Sequence, residues 1–455
     1  MTQIKVGLEI HGYIDEDVKL FCNCAIDETA EPNTNICPVC TGQPGSKAKA
    51  TNKNSLRKAI EIALMLGCTV NSTLLFQRKH YSWPDSPNNY QRTMSGSYAV
   101  PVGVEGLFEG IRITQVHLEE DPARWEPTTG KIDYNRAGTS LIEIVTEPDF
   151  VSSEQVGEWL KKLVTTLSYI KAINRHAGIK SDVNVSIAPK FERVEIKNVN
   201  SRSAIMESII SETARQEKEK ASGNRIPMQT RTWDDVQSQT VFMRSKEEAA
   251  EYMFIPDPDI PSITTQQSEI DKLRDALPEA PSVKIQKLIT KGLSEEDARV
   301  LAEQYPLIVL FEKLSADVSL QTLVTYLRRE LVRIANYNKL EVDELVLDEK
   351  QLHTLFIMLD KKELTDNVVK KILEKLLLKS FDVQEYVKKE GLASVGSSDE
   401  LTGFCQEAID ANPKAVSDYK AGEENSLNFL VGQVMRKTRG AAKPDVVIEV
   451  IKSLL

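Results

Sequence analysis

The sequence predicts an α+β protein: an open antiparallel sheet with flanking helices, then a region built of helices alone. Three observations carry this. Over the first ~255 residues short segments alternate apolar and polar side chains, the period of a half-buried strand. Around Ile255-Pro-Asp-Pro-Asp-Ile-Pro261 the texture breaks. From about residue 290 the apolar residues recur at helical spacing, as in Thr365–Leu378, where Val368, Ile372, Leu373 and Leu376 share one face.

The first strand is Lys5–His11, with Val6, Leu8 and Ile10 on one side and Gly7, Glu9 and His11 on the other. Residues 111–119, 140–146, 182–187 and 193–198 read as four more strands. Asn54 is the expected cap of a helix ending near Gly67. Ser152 and Gln155 fit a capping box ahead of Val156, Trp159, Leu160, Leu163 and Leu167. A charged helix is expected over 203–221. Prolines across 255–283 remove backbone donors and restrict their neighbours, so this stretch reads as a linker or wrapping segment. Val395-Gly-Ser-Ser-Asp399 separates a last segment. The expected domains are therefore 1–290, 291–395 and 396–455.

At 455 residues the chain has room for several cores. No apolar run approaches the ~20 residues of a membrane helix, and the N-terminus carries no secretory or transit pattern. A cytoplasmic location with no membrane is expected. The formal charge of −10 excludes a general polyanion binder, so any nucleic-acid contact must use a local basic surface. Four of six cysteines, Cys22, Cys24, Cys37 and Cys40, fall within nineteen residues. Two close thiolate pairs suit tetrahedral Zn²⁺. Four protein ligands leave no open position, so the ion is read as structural.

The strand faces carry the second signal. Glu9 and His11 share a face, as do His117 and Glu119, with Glu120 at the strand end. Asp182, Asn184 and Ser186 share another face, and so do Arg193, Glu195 and Lys197. Solvated faces are rich in Lys, Thr and Ser, whereas these gather carboxylates, Asn and His. Neighbouring carboxylates repel, and a divalent cation relieves the repulsion. Oxygen donors with an occasional imidazole suit Mg²⁺ or Mn²⁺, which complete their shells with water and phosphate. The expectation is a metal–nucleotide site on the sheet. No phosphate loop, dinucleotide fingerprint or nucleophile elbow is present.

Ordered motifs carry a family resemblance. They include Val6-Gly-Leu-Glu-Ile-His11, Glu31-Pro-Asn-Thr-Asn-Ile-Cys-Pro-Val-Cys40, His117-Leu-Glu-Glu-Asp121 and Asp133-Tyr-Asn-Arg-Ala-Gly138. Leu141-Ile-Glu-Ile-Val-Thr-Glu-Pro-Asp149, Asp182-Val-Asn-Val-Ser186, Val194-Glu-Ile-Lys-Asn198 and Met243-Arg-Ser-Lys-Glu-Glu-Ala249 follow. Phe429-Leu-Val-Gly-Gln-Val-Met435 stands near the end. The chain resembles the GatB family, the B subunits of tRNA-dependent amidotransferases, essentially from end to end.

The resemblance implies a kinase-like cradle domain, an all-helical domain and a small helical tail domain. It implies that ATP phosphorylates the side-chain carboxylate of Glu or Asp misacylated onto tRNA-Gln or tRNA-Asn, and that ammonia then displaces phosphate. An amidase-type glutaminase A subunit supplies the ammonia, and a small C subunit clasps the pair. By that likeness Glu9, His11, Glu119 and Glu120 are the Mg²⁺ candidates. Asp182 and Glu195 are candidates for a second metal or for guiding ammonia. Lys79 and Tyr81 lie near the acyl end, and Arg136 and Lys197 are candidate phosphate contacts. Arg436, Lys437, Arg439 and Lys443 form a tail patch suited to tRNA phosphates. The chain departs from the family pattern at Tyr13, His80, Asn88-Asn89, Gln91–Met94, Asn174–Ala177 and Lys180-Ser181, around the implied acyl pocket. Two alternatives are a non-catalytic zinc-containing tRNA-binding scaffold subunit of the same complex, and a carboxylate–amine ligase for a small molecule.

Overall fold

The structure, a computed structural model, describes residues 3–27, 29–174, 179–190, 192–245, 252–393 and 398–455. Residues 246–249 of the Met243 motif, residues 175–177 and residues 395–397 of the predicted Gly/Ser break therefore lie outside the described residues. The chain divides into two compact units, Met1–Pro281 and Ser282–Leu455. The division falls at the start of the helix Pro281–Thr290.

In the first unit the chain runs β1 (Ile4–Tyr13), α1 (Lys53–Met65), β2 (Thr69–Val70), β3 (Thr73–Leu74), β4 (Gln77–His80) and β5 (Tyr90–Thr93). β6 (Gly103–Phe108), β7 (Ile111–Glu120), β8 (Arg124–Glu126), β9 (Lys131–Asp133), β10 (Ser140–Thr146) and α2 (Ser153–Tyr169) follow. Then come β11 (Lys180–Ile187), β12 (Val194–Val199), α3 (Arg202–Ala221), β13 (Gln229–Asp234), β14 (Gln239–Ser245), β15 (Met253–Pro256), β16 (Ile263–Thr264) and α4 (Gln267–Ala276). Twelve strands make one sheet in the order β14-β13-β12-β11-β1-β10-β7-β5-β4-β15, with β6 beside β7 and β2 beside β6. Among the described residues only the β12–β13 pair is parallel. The five strands read from alternation are all present, each within two residues of its expected ends.

One sheet face is the core. Val6, Leu8, Ile10, Val116, Leu118, Ile142, Ile144, Val183, Val185 and Ile196 pack there with Trp159, Leu160 and Leu163 of α2 and Ile205 and Ile209 of α3. The other face keeps the polar residues, which is the division that period-two alternation demands. One irregularity modifies it. Ser181 pairs with Val199 while Val183 pairs with Ile196, so three residues on β12 span two on β11. Asn198 is the extra residue, at φ 64, and this bulge keeps Val199 in the core.

Two local expectations are corrected. The cap of α1 is Asn52, whose side chain accepts from the N–H groups of Asn54 and Ser55; Asn54 already lies inside the helix. At α2, Ser152 caps as expected, but the Gln155 amide oxygen accepts from the Val151 N–H, one residue beyond the regular box. The Pro-rich stretch wraps the unit. β15 pairs with β4 and β16 with β3. Asp257 is clamped by Arg78 (3.0 Å) and Arg92 (3.1 Å).

The second unit is helical throughout its described residues. Near its end Leu401, Cys405, Leu430, Val434, Val447 and Ile451 form a core of their own. Among the described residues no helix is long and apolar enough to cross a membrane.

Candidate active site and metal clusters

Strand register assembles the site. His11 of β1 lies opposite Glu143 of β10, and Glu143 lies opposite His117 of β7. The two imidazoles meet on one oxygen: Glu143 Oε2 is 3.2 Å from His11 Nε2 and 3.1 Å from His117 Nε2. Glu119 Oε1 stands 3.8 Å from His11. Burial would lower the His11 pKa, but its hydrogen bond to Glu143 and the charges of Glu143, Glu119 and Asp182 raise it to about 9. Burial and the Glu143 charge push Glu119 up. Glu143 itself is held well below its ordinary value, because the two imidazoles outweigh burial.

A second cluster lies across β1, β11 and β12. Glu9 is opposite Asp182, and Asn184 is opposite Glu195. Lys197 Nζ sits 2.6 Å from Asp182 and 3.1 Å from Glu195, and the Asn184 amide donates to Glu9 Oε1 at 3.1 Å. One ammonium among three carboxylates leaves the cluster negative. Burial and the charges of Glu143, Asp182 and Glu195 raise Glu9, while burial fails to prevent Asp182 and Glu195 from raising Lys197.

The donor set fits a hard cation. Ligand atoms of His11, Glu119 and Glu143 lie within 4.8 Å of one another, as do those of Glu9, Asp182 and Glu195. The Asn184 side-chain oxygen, buried beside Glu9, has no hydrogen-bond partner among the described residues. Oxygen donors with one imidazole are the chemistry that Mg²⁺ or Mn²⁺ accepts.

A cavity of about 440 Å³ opens over both clusters. Of the predicted residues, Glu9, His11, Lys79, Tyr81, Glu119, Asp182 and Lys197 line it, and Glu195 joins through Lys197. Two are placed elsewhere. Glu120 follows Glu119, so alternation sends it to the opposite face, where both its oxygens lie 3.3 Å from Arg92. Arg136 is engaged with Asp121 at 3.0 Å and donates to the carbonyls of Pro122 and Ala123. Sequence reasoning passed over Glu143 and Asp121 as site residues and singled out Tyr13 and Lys180 only as departures from a pattern. All four line the cavity. Tyr13 donates to Asp121 Oδ2 at 2.7 Å. The signal for Glu143 was its place as a lone carboxylate within the apolar run Leu141–Val145.

The cysteine cluster forms on the loops after β1. Sulfurs of Cys22, Cys24, Cys37 and Cys40 lie within 4.8 Å of one another and could hold a zinc ion. Buried Lys19 donates to Cys40 Sγ at 3.4 Å and to the carbonyls of Asn35 and Tyr134. The hydrogen bond from Cys22, with the Lys19 charge nearby, holds the Cys40 thiol below its ordinary value, while burial first of all raises Cys24.

In the second unit Arg436 and Lys437 occupy the last turn of the helix Glu424–Lys437. Lys437 pairs with Glu407 at 2.7 Å and Arg439 with Glu390 at 3.3 Å. Lys443 precedes the helix Pro444–Leu454.

The chain matches two family models, the GatB/GatE catalytic domain over residues 4–271 and the GatB domain over residues 309–455. Its relatives include proteins named as the B subunit of aspartyl/glutamyl-tRNA(Asn/Gln) amidotransferase. That of Methanothermobacter thermautotrophicus is 42% identical over 452 residues, 99% of each chain. That of Methanocaldococcus jannaschii is 40% identical over 468 aligned residues, 100% of this chain and 98% of the other. That of Methanobrevibacter smithii is 39% identical over 449 residues, 98% of each. With likeness of this extent, and with both family models in order along it, the chain belongs to the GatB family, the B subunits of the tRNA-dependent amidotransferases, which are ligases.

Proposed function

We propose that this chain activates the side-chain carboxylate of Glu or Asp misacylated onto tRNA-Gln or tRNA-Asn, using ATP, and then amidates it. The observation that supports this is the cavity: two acidic clusters on its floor, with Lys79, Lys180 and Lys197 around it. In the first step a carboxylate oxygen bonds to the γ-phosphorus, the bond to the bridging oxygen breaks, and ADP leaves. In the second, ammonia attacks the activated carbonyl carbon, the C–O bond to phosphate breaks, and the surplus proton passes to a base. Phosphoryl transfer is mostly positioning and charge neutralisation.

Mg²⁺ held by His11, Glu119 and Glu143, with Glu9, Asp182 and Glu195 as a second set, would neutralise phosphate charge. Lys79 and Lys197 add fixed positive charge, and Tyr81 walls the acyl end. In the alternative to a second ion, Asp182 and Glu195 would guide ammonia toward the acyl carbon. Glu120 supports the site from behind through Arg92, and Arg136 does so through Asp121. A structural Zn²⁺ on the four cysteines pins the loop. An amidase-type A subunit would supply ammonia and a small C subunit would join it to this chain. Residues 396–455, with Arg436, Lys437, Arg439 and Lys443, would form a tail domain that meets tRNA phosphates.

The test is amide formation on Glu-tRNA-Gln and Asp-tRNA-Asn with ammonium as nitrogen source, for the wild type and Glu119→Gln, alone and with A and C subunits. Turnover that requires ATP, Mg²⁺ and misacylated tRNA, and that collapses in the variant, is expected. No turnover with all partners present would leave a tRNA-binding scaffold.

A further inference from the structure

Two loops leave the cavity wall side by side. One starts at Tyr81 and reaches Trp83; the other starts at Pro122 and reaches Trp125 at the head of the β8–β9 hairpin. A hydrogen bond from Ala123 N to the Asp85 carbonyl, 2.8 Å, ties them together. Their indoles meet at 6.1 Å between ring centroids, tilted by 54°. Trp83 is 55% exposed, a costly position for the largest apolar side chain. Its surroundings are mixed: Pro84 and Pro127 are exposed, but so are Ser82, Arg124 and Glu126 beside the pair. Tyr252 stacks edge-on to Tyr81 of the cavity wall at 6.4 Å, and Lys79 Nζ lies 4.7 Å from the Tyr252 ring centre.

We propose that Trp83 and Trp125 form a stacking platform for unpaired nucleobases of single-stranded RNA entering the cavity mouth. Flat bases present apolar faces with polar edges and charged phosphates, which matches exposed rings set among polar groups. An apolar protein surface would call for a wider patch. Exposed Arg124, next to Trp125, suits the phosphates between bases. The identity of the RNA rests on the proposed function: it would be the unpaired end that carries the misacylated residue.

The test uses the complex assembled with A and C subunits and the RNA tetranucleotide ACCA, labelled for anisotropy. Trp83→Ala and Trp125→Ala should each weaken RNA binding about tenfold, the scale of one lost base stack, and Trp83→Phe should restore most of it. KM for misacylated tRNA should rise by a similar factor with kcat unchanged. Three results would overturn the platform: unchanged RNA affinity in Trp83→Ala, equal binding of an abasic analogue, or weakened subunit assembly with RNA binding intact. If the wild type makes no amide yet binds RNA in a Trp83-dependent way, the proposed function fails while the platform stands.

Discussion

The two kinds of metal-ligating cluster in the first unit are built in opposite ways. The four cysteines come from one stretch of nineteen residues, so short-range loop folding brings them together. His11, Glu119 and Glu143 come from three strands, and only the pairing of β1 with β10 and of β10 with β7 makes them neighbours. The first cluster is a local clasp. The second is a property of the whole sheet, so a shift of one residue in any of those pairings would turn its donors toward the core. The clasp should therefore govern folding of its loop, and the sheet cluster should govern chemistry.

The largest expected effect tests the second half of that contrast. Glu143→Gln removes the oxygen that both imidazoles share. Amide formation should fall about a hundred- to a thousandfold, read as single-turnover rate, while circular dichroism stays unchanged. Cys37→Ser tests the first half. Metal analysis should show bound zinc lost, and the melting temperature should fall by several degrees, with any loss of activity following loss of folded protein.

Glu120→Gln sharpens the boundary of the sheet cluster. Mg²⁺ affinity should hold, because Glu120 faces away from the cavity. Stability in urea should fall by about 1–3 kcal/mol, because buried Arg92 loses one of two carboxylate partners. A pH dependence of the metal-free protein probes the sheet cluster without its ion. The folded-state pKa of His11, about 9, lies above its ordinary 6.5. Its contribution to stability is complete below about pH 6.5 and is lost as pH rises through about 9. Urea midpoints in EDTA across that range should decline, and added Mg²⁺ should flatten the decline because a metal replaces the proton.

How much of this was legible follows the same contrast. The cysteine spacing and the alternation of Lys5–His11 are local, so both could be read directly. The family likeness put Glu119 and Glu120 in one metal set, yet adjacency on a strand means opposite faces. Glu143 was passed over because its importance comes from His11 and His117, which are distant in sequence. Tyr13 and Asp121 form a hydrogen bond across 108 positions, and no spacing rule announces such a pair. Asn52 and Asn54 are both suitable capping residues two positions apart, so residue type alone did not separate them; in the structure the Asn52 oxygen accepts from the N–H groups of Asn54 and Ser55.

The bulge at Asn198 separates two things that a strand ordinarily ties together. An inserted residue in a strand ordinarily throws every later side chain out of phase. Here the additional position lies on the cavity side, and Val199 remains in the core. Chain length at this point is decoupled from the hydrophobic pattern. In this chain one polar group could be gained or lost at the cavity wall by a single-codon change while the apolar side chains on either side keep their face.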